Sequence, residues 1–143
     1  MNIKQALKRK NKLVGEINEE FNKVSRYNVV DEGNPRPYSS SESLKKWFDL
    51  TNELVELKTK IHLANGPVYD KIFLLAELKS QVNRLKSLDC TSGKVTSRWS
   101  EDGTVTKHAE INVVERDNMV KQIESTIESI QEELDQWNHT TNI

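Results

Sequence analysis

Apolar residues that return every three or four positions run through four long segments of this chain, and no other feature limits its fold so tightly. The clearest run is Val113, Val120, Ile123, Ile127, Ile130, Leu134 and Trp137, interrupted only by Arg116. A mean repeat of about 3.5 residues brings such side chains back to one side of a helix, as in a coiled-coil seam. A second run, Ile3, Leu7, Val14, Ile17, Phe21 and Val24, is broken only at Lys10. A third, Trp47, Leu50, Leu54, Leu57, Ile61 and Ala64, is widened by Leu44, Phe48 and Val55. A stripe this wide needs two neighbouring helices rather than one. The fourth comprises Ile72, Leu75, Leu78, Val82 and Leu85. It opens with Ile72-Phe73-Leu74-Leu75-Ala76, apolar in almost every direction, which predicts cover on all sides by another subunit.

Composition agrees with stripes better than with a thick core. Only 35% of the 143 residues are hydrophobic and 30% are charged, with 21 basic residues against 22 acidic. So even a balance gives no global field to attract nucleic acid or a membrane surface. The single cysteine, Cys90, has no partner for an internal disulfide, which points to a reducing compartment. Residues 1–20 hold no apolar core of an export signal, and no stretch reaches the ~20 apolar residues of a spanning helix. The expected location is the cytoplasm.

Breaks between the stripes set the boundaries. Pro35 and Pro37, with Gly33 and three consecutive serines, make residues 27–40 the longest loop. Ser39 with Glu42 has the form of a capping box, and Asn112 with Glu115 resembles one. Asn65-Gly66-Pro67 reads as a sharp stop and restart, with the glycine left-handed, joining two helices as an antiparallel hairpin. Between 91 and 111 Thr, Ser and Val alternate around Asp102-Gly103, which predicts a β-hairpin. A two-residue loop would set Trp99 opposite Thr106. A three-residue loop, Glu101 to Gly103 with the glycine left-handed, sets Trp99 opposite Val105 and Val95 opposite Ala109, and gathers the apolar residues on one face. The second register is expected. A lone two-stranded hairpin is marginal in water, so this one should rest on a helix or a partner.

The expected fold is mainly α, in one domain spanning 1–143. Helices at about 2–26, 40–64, 67–88 and 113–137 form an antiparallel bundle or coiled coil, with a β-hairpin at about 94–111 before the last helix.

Chemistry-bearing residues are scattered. His62, His108 and His139 are far apart and none stands at metal-ligand spacing with another. Cys90 follows a helix C-terminus, whose dipole opposes a thiolate. The basic run Lys8-Arg9-Lys10-Asn11-Lys12 lacks interleaved aromatics and reads as a solvated face. Glu124, Glu128, Glu132, Glu133 and Asp135 flank a seam instead of converging across a cleft. No catalytic residue, metal site or cofactor is expected.

The ends of two helices carry a family resemblance. Asn138-His139-Thr140-Thr141-Asn142-Ile143 is similar to the Asn-Trp-Thr-Thr-x-Leu ending of the septicolysin-like bacterial proteins, a group of unknown function. Ile61-His62-Leu63-Ala64-Asn65 resembles that family's Ile-Asn-x-Thr-Asn segment. His139 stands where the family has tryptophan, and His62 and Ala64 replace polar residues. Asn65, Asn138, Thr140 and Thr141 match the motifs, with no role established for them. The resemblance implies a helical fold and oligomers over nearly the whole chain, and it carries the name of a haemolysin.

The leading functional expectation is a non-enzymatic homo-oligomeric scaffold or binding module, with Ile72, Phe73, Leu74 and Trp99 as candidate subunit interface. A membrane-active, haemolysin-like protein is the alternative. An enzyme whose site forms between subunits from Asn65, Asn138, Thr140 and the histidines ranks last.

Overall fold

A computed structural model describes every residue except Ser100, which falls within the predicted hairpin and lies outside the described residues. The chain is mainly helical. In order it forms α1 (Ile3–Tyr27), α2 (Ser40–Ala64), a 3-10 turn (Gly66–Val68), α3 (Tyr69–Lys86), β1 (Gly93–Thr96), β2 (Thr104–Lys107) and α4 (Val113–Thr140). It falls into two compact units: Met1–Pro67 with Gln136–Ile143, and Val68–Asp135.

The first unit is built on α1 and α2. Asn2 caps α1 by accepting the Gln5 N–H at 2.9 Å, while the Asn2 N–H donates to Gln5 Oε1 at 3.0 Å, which closes a capping box. At the other end Arg36 folds back from the loop and donates to the carbonyls of Tyr27 at 3.2 Å and Asn28 at 3.1 Å. These bonds satisfy acceptors that the last turn of a helix leaves open. Ser39 caps α2 by accepting the Glu42 N–H at 3.3 Å. Arg9 of α1 reaches Glu53 of α2 and Phe21 of α1 lies beside Trp47 of α2, so the two helices run in opposite directions. Their core is Ala6, Leu13, Leu57 and Ile61, with Leu7, Leu50, Leu54 and Ile143 packed around it.

The buried line of α1 differs in part from the expected one. Ile3 of the predicted seam is fully buried and Leu7 packs on the core, but Ala6 and Leu13, outside that seam, are fully buried, whereas Val14 and Phe21 within it are exposed. Within this unit α1 packs on α2, so the side facing α2 decides burial, and the heptad stripe is left at its edge.

Asn65 ends α2 in a right-handed conformation, and Gly66 does not take the expected left-handed one. The chain continues as a tight right-handed turn through Pro67, whose fixed φ suits it and whose missing N–H is not needed at a helix start.

In the second unit, α3 and α4 are joined by the Lys71–Glu133 ion pair, the Lys86–Glu124 pair at 3.0 Å, and a bond from Arg116 to the Leu88 carbonyl at 2.9 Å. The partners' numbers run in opposite directions, so these helices are antiparallel. Val68, Leu75, Val82, Val120, Ile130 and Leu134 are its buried apolar residues. Arg116, the one interruption of the last stripe, thus serves the chain leaving α3. Asn112 caps α4 by accepting the Glu115 N–H at 2.8 Å and donates back to Glu115 Oε1 at 3.1 Å.

The hairpin takes neither register weighed from the sequence. Val95 lies opposite Val105 and Gly93 opposite Lys107, and Ser97 donates to the Gly103 carbonyl at 2.8 Å. Gly103 is left-handed, as expected, at φ 72°. Asp102 accepts from the Thr104 N–H at 3.2 Å and the Thr104 hydroxyl at 3.1 Å, and so fixes the chain entering β2. The result pairs two β-branched valines across the strands and leaves Trp99 in the loop.

Candidate functional site

The two ends of the chain meet within the first unit. Asn2 and Asn142 form an antiparallel bridge: the Ile3 N–H donates to the Thr141 carbonyl at 3.0 Å, and the Ile143 N–H to the Met1 carbonyl at 3.0 Å. Asn2 Nδ2 adds a bond to the His139 carbonyl at 3.1 Å, and Lys4 Nζ lies 3.2 Å from His139 Nε2. Thr140 and Thr141 therefore have structural work here. Thr141 supplies the bridging carbonyl, and its own N–H donates to Trp137 at 2.9 Å. The Thr140 hydroxyl donates to the Gln136 carbonyl at 2.9 Å, one turn back. Asn138 is half-buried in the last turn of α4, which extends to Thr140 rather than ending at 137. Asn65 closes α2 in the same unit. Its Oδ1 and Trp137 Nε1 are both buried without a hydrogen-bond partner.

This end offers an acceptor, a donor and a histidine, but no catalytic constellation. Among the described residues, no group of three or more His, Cys, Asp or Glu could hold a metal ion. Cys90 is free and half-buried beyond the end of α3. Of the basic run, Arg9 is committed to structure: it donates to Glu53 at 2.8 and 3.0 Å and to both oxygens of Glu16 at 3.2 Å. The hydrogen bond to Glu53 is the main reason that its pKa lies above the ordinary guanidinium value.

Two open clefts have more polar than apolar lining. One of about 420 Å³ lies along α1 between Gly15 and Tyr27 and reaches Tyr38; another of about 510 Å³ follows the loop from Asn28 to Ser41. Lys23 sits 4.8 Å above the Tyr38 ring and also pairs with Glu20 at 3.3 Å, so its charge is already used inside the chain.

Exposed apolar residues are the more informative feature. Of the candidate interface residues, Trp99 is 96% exposed, Phe73 65% and Leu74 47%, while Ile72 is half-buried. Phe73 stacks on Tyr69 at 5.6 Å, which keeps a broad aromatic surface outward. An apolar start to α3 calls for cover on all sides; within one chain Phe73 and Leu74 have little. On the first unit, Val14, Phe21, Leu44, Phe48 and Val55 are exposed as well. Phe21, Trp47 and Phe48 form a continuous aromatic group, with centroids 5.1 and 4.9 Å apart.

Among the described residues, no helix is long and apolar enough to cross a membrane. Neither a family model, nor a curated protein, nor a solved structure matches the chain.

Proposed function

We propose that this protein is a non-enzymatic, homo-oligomeric scaffold or binding module of the cytoplasm, septicolysin-like in type, whose helices complete a bundle only when copies associate. The observation that carries this reading is surface area. Two separate compact bodies, each of half the chain's mass, would expose about 9,100 Å² together. The chain exposes 10796 Å². The excess of roughly 1,700 Å² per copy, doubled across a pair, falls in the range of about 2,000–5,000 Å² buried by obligate homodimers. It also has the right chemistry, since large apolar side chains stand in water on α2, α3 and the hairpin.

A membrane-active role draws less support. A strand that spans a bilayer needs about 9–11 residues, and β1 and β2 have 4 each.

Size-exclusion chromatography with light scattering tests the proposal. The expected mass at micromolar concentration is a multiple of 16.5 kDa. A clean monomer overturns the reading.

A further inference from the structure

One side of α1 carries polar groups that the chain itself leaves unused. Gly15, Asn18, Asn22 and Arg26 line the cleft of about 420 Å³ that ends at Tyr27 and Tyr38. That end is held in shape from several directions. Tyr38 lies 5.5 Å from the Tyr27 ring with Lys23 4.8 Å above it, and Arg36 ties the returning loop to the Tyr27 carbonyl at 3.2 Å. Asn18, Asn22 and Arg26 are exposed, and within the described residues none of the three makes a hydrogen bond or an ion pair.

Their spacing is regular. Each stands four positions from the next, a rise of about 6 Å along the helix. An extended polypeptide turns the N–H and C=O of every second residue to the same side, about 6.7 Å apart. A carboxamide has an acceptor oxygen and a donor nitrogen, so one asparagine can bond both groups of one such residue. Asn18 and Asn22 therefore match two successive pairs of an extended chain to within about 1 Å, which side-chain rotation absorbs.

Charge fixes the third contact. Glu19 is engaged by Lys23 at 4.0 Å, whereas Arg26 pairs with none of Glu19, Asp31 and Glu32. Arg36, bonded to the Tyr27 carbonyl, adds a second guanidinium at this end. A guanidinium without a partner takes a carboxylate through two parallel bonds. At the far end a Cβ added to Gly15 would meet nothing within 4 Å, so the cleft stays open there. From Gly15 to Tyr27 the helix rises about 18 Å, the length of roughly five extended residues.

We infer that this cleft binds a short extended peptide with an acidic side chain at the Tyr27 end, its backbone bonded by Asn18 and Asn22 and its carboxylate by Arg26. The inference rests on the binding-module half of the reading above and names the ligand; it does not require that copies associate.

Selection from a library of linear heptapeptides displayed on phage, with the full chain as bait, tests the site. The expected result is enrichment of peptides with aspartate or glutamate at one fixed position. Fluorescence anisotropy of an enriched peptide, made with an amidated C-terminus, then measures affinity. Asn22→Ala puts a good helix former at an exposed position, so the fold is kept, and it should weaken binding about tenfold. Arg26→Glu should turn the selected residue from acidic to basic. Methylating the peptide's backbone nitrogens one at a time should abolish binding at two positions, two residues apart. A library without an acidic consensus overturns the proposal, and so does an affinity unchanged by methylation or by Asn22→Ala. If Asn22→Ala lowers the mass seen by light scattering, a second copy fills the cleft and the peptide reading falls. The mass of the unaltered chain decides the oligomeric reading separately: a monomer that selects these peptides removes that reading alone, and an oligomer that selects none removes this one alone.

Discussion

The two units solve the same problem, antiparallel packing of two long helices, with different materials. In the first, Ile3, Ala6 and Leu13 are 0% exposed, and the bridge between the chain ends lies over the start of α1. In the second, the best-buried residues retain a little exposure, 5% at Val82 and 8% at Leu75, and charged pairs run along the outside. Small Ala6 is part of the difference, since it lets the α2 side chains close over α1. The first unit adds the Arg9 links to Glu53 and Glu16 to a fully buried apolar core, so dispersion carries most of it and its cross-helix cation is an arginine. The second has a less closed core and two exposed lysine links between its helices, Lys71–Glu133 and Lys86–Glu124, which contribute little each. Resistance to solvent conditions should therefore divide along the chain.

The largest expected effect breaks the first unit. Leu13→Ala removes three fully buried carbons from the core of this unit, and should cost about 2–5 kcal/mol. Leu75→Ala in the second unit should lie at or below the low end of that range, because its site opens toward water. Paired urea denaturation curves measure both. Equal costs would mean that the second seam is as tight as the first, and the contrast would fail.

How far this contrast could be read in advance depends on the range of the interactions. Helix positions were legible because period and caps are local: Ser39 with Glu42 and Asn112 with Glu115 mark starts that the chain uses. Asn2 with Gln5 is a further capping pair, equally visible in its spacing. Which side of α1 is buried was not legible. After Ile3 and Leu7, either Leu13 beside Ala6 or Val14 and Phe21 can continue the stripe of a helix, and the choice belongs to the neighbour. The hairpin register failed for a related reason. Gathering apolar residues on one face assumes that something covers that face, whereas the local bonds of Ser97, Gly103 and Asp102 set the register here. The bridge between Asn2 and Asn142 joins opposite ends of the chain and left no local trace beyond the motif at the C-terminus. For the candidate site, the exposure of Phe73, Leu74 and Trp99 was foreseeable from an apolar surplus. The exposed aromatic group of Phe21, Trp47 and Phe48 was foreseeable only in part, from the width of the α2 stripe.

A smaller change sharpens the comparison from the stable side. Gly15 sits in the middle of α1 with an ordinary helical backbone, and a Cβ added there meets nothing within 4 Å. A glycine inside a helix marks either a close neighbour or a simple weakness, and the open space here selects the weakness. Gly15→Ala should raise stability by about 1 kcal/mol, seen as a higher thermal midpoint, without altering the second unit's response to salt. A loss of stability would show that something approaches α1 at this position in the assembled protein.

The smallest effect is a titration confined to the second unit. The pKa of Lys71 is raised above 10.5, chiefly by its hydrogen bond to Glu133 and then by that carboxylate's charge. A cation whose folded pKa is raised lends stability that is fully present below the unfolded value and disappears as pH climbs through the folded one. Asp89 works in the opposite sense. Bonds from the Thr91 hydroxyl and N–H hold it below the ordinary carboxylate value of 3.8, so its contribution is present above that pH and is lost as acid takes the pH down through the folded value. Arg9, the corresponding link in the first unit, stays charged throughout both windows. Raising the pH past 10.5 should thus loosen the start of α3 before it touches α1, and hydrogen exchange by mass spectrometry can follow the two regions separately. Lys71→Met should flatten the alkaline response of the second unit and leave the first unchanged. If both regions loosen together at high pH, the two units share one cooperative transition, and the division of labour between burial and charge does not hold.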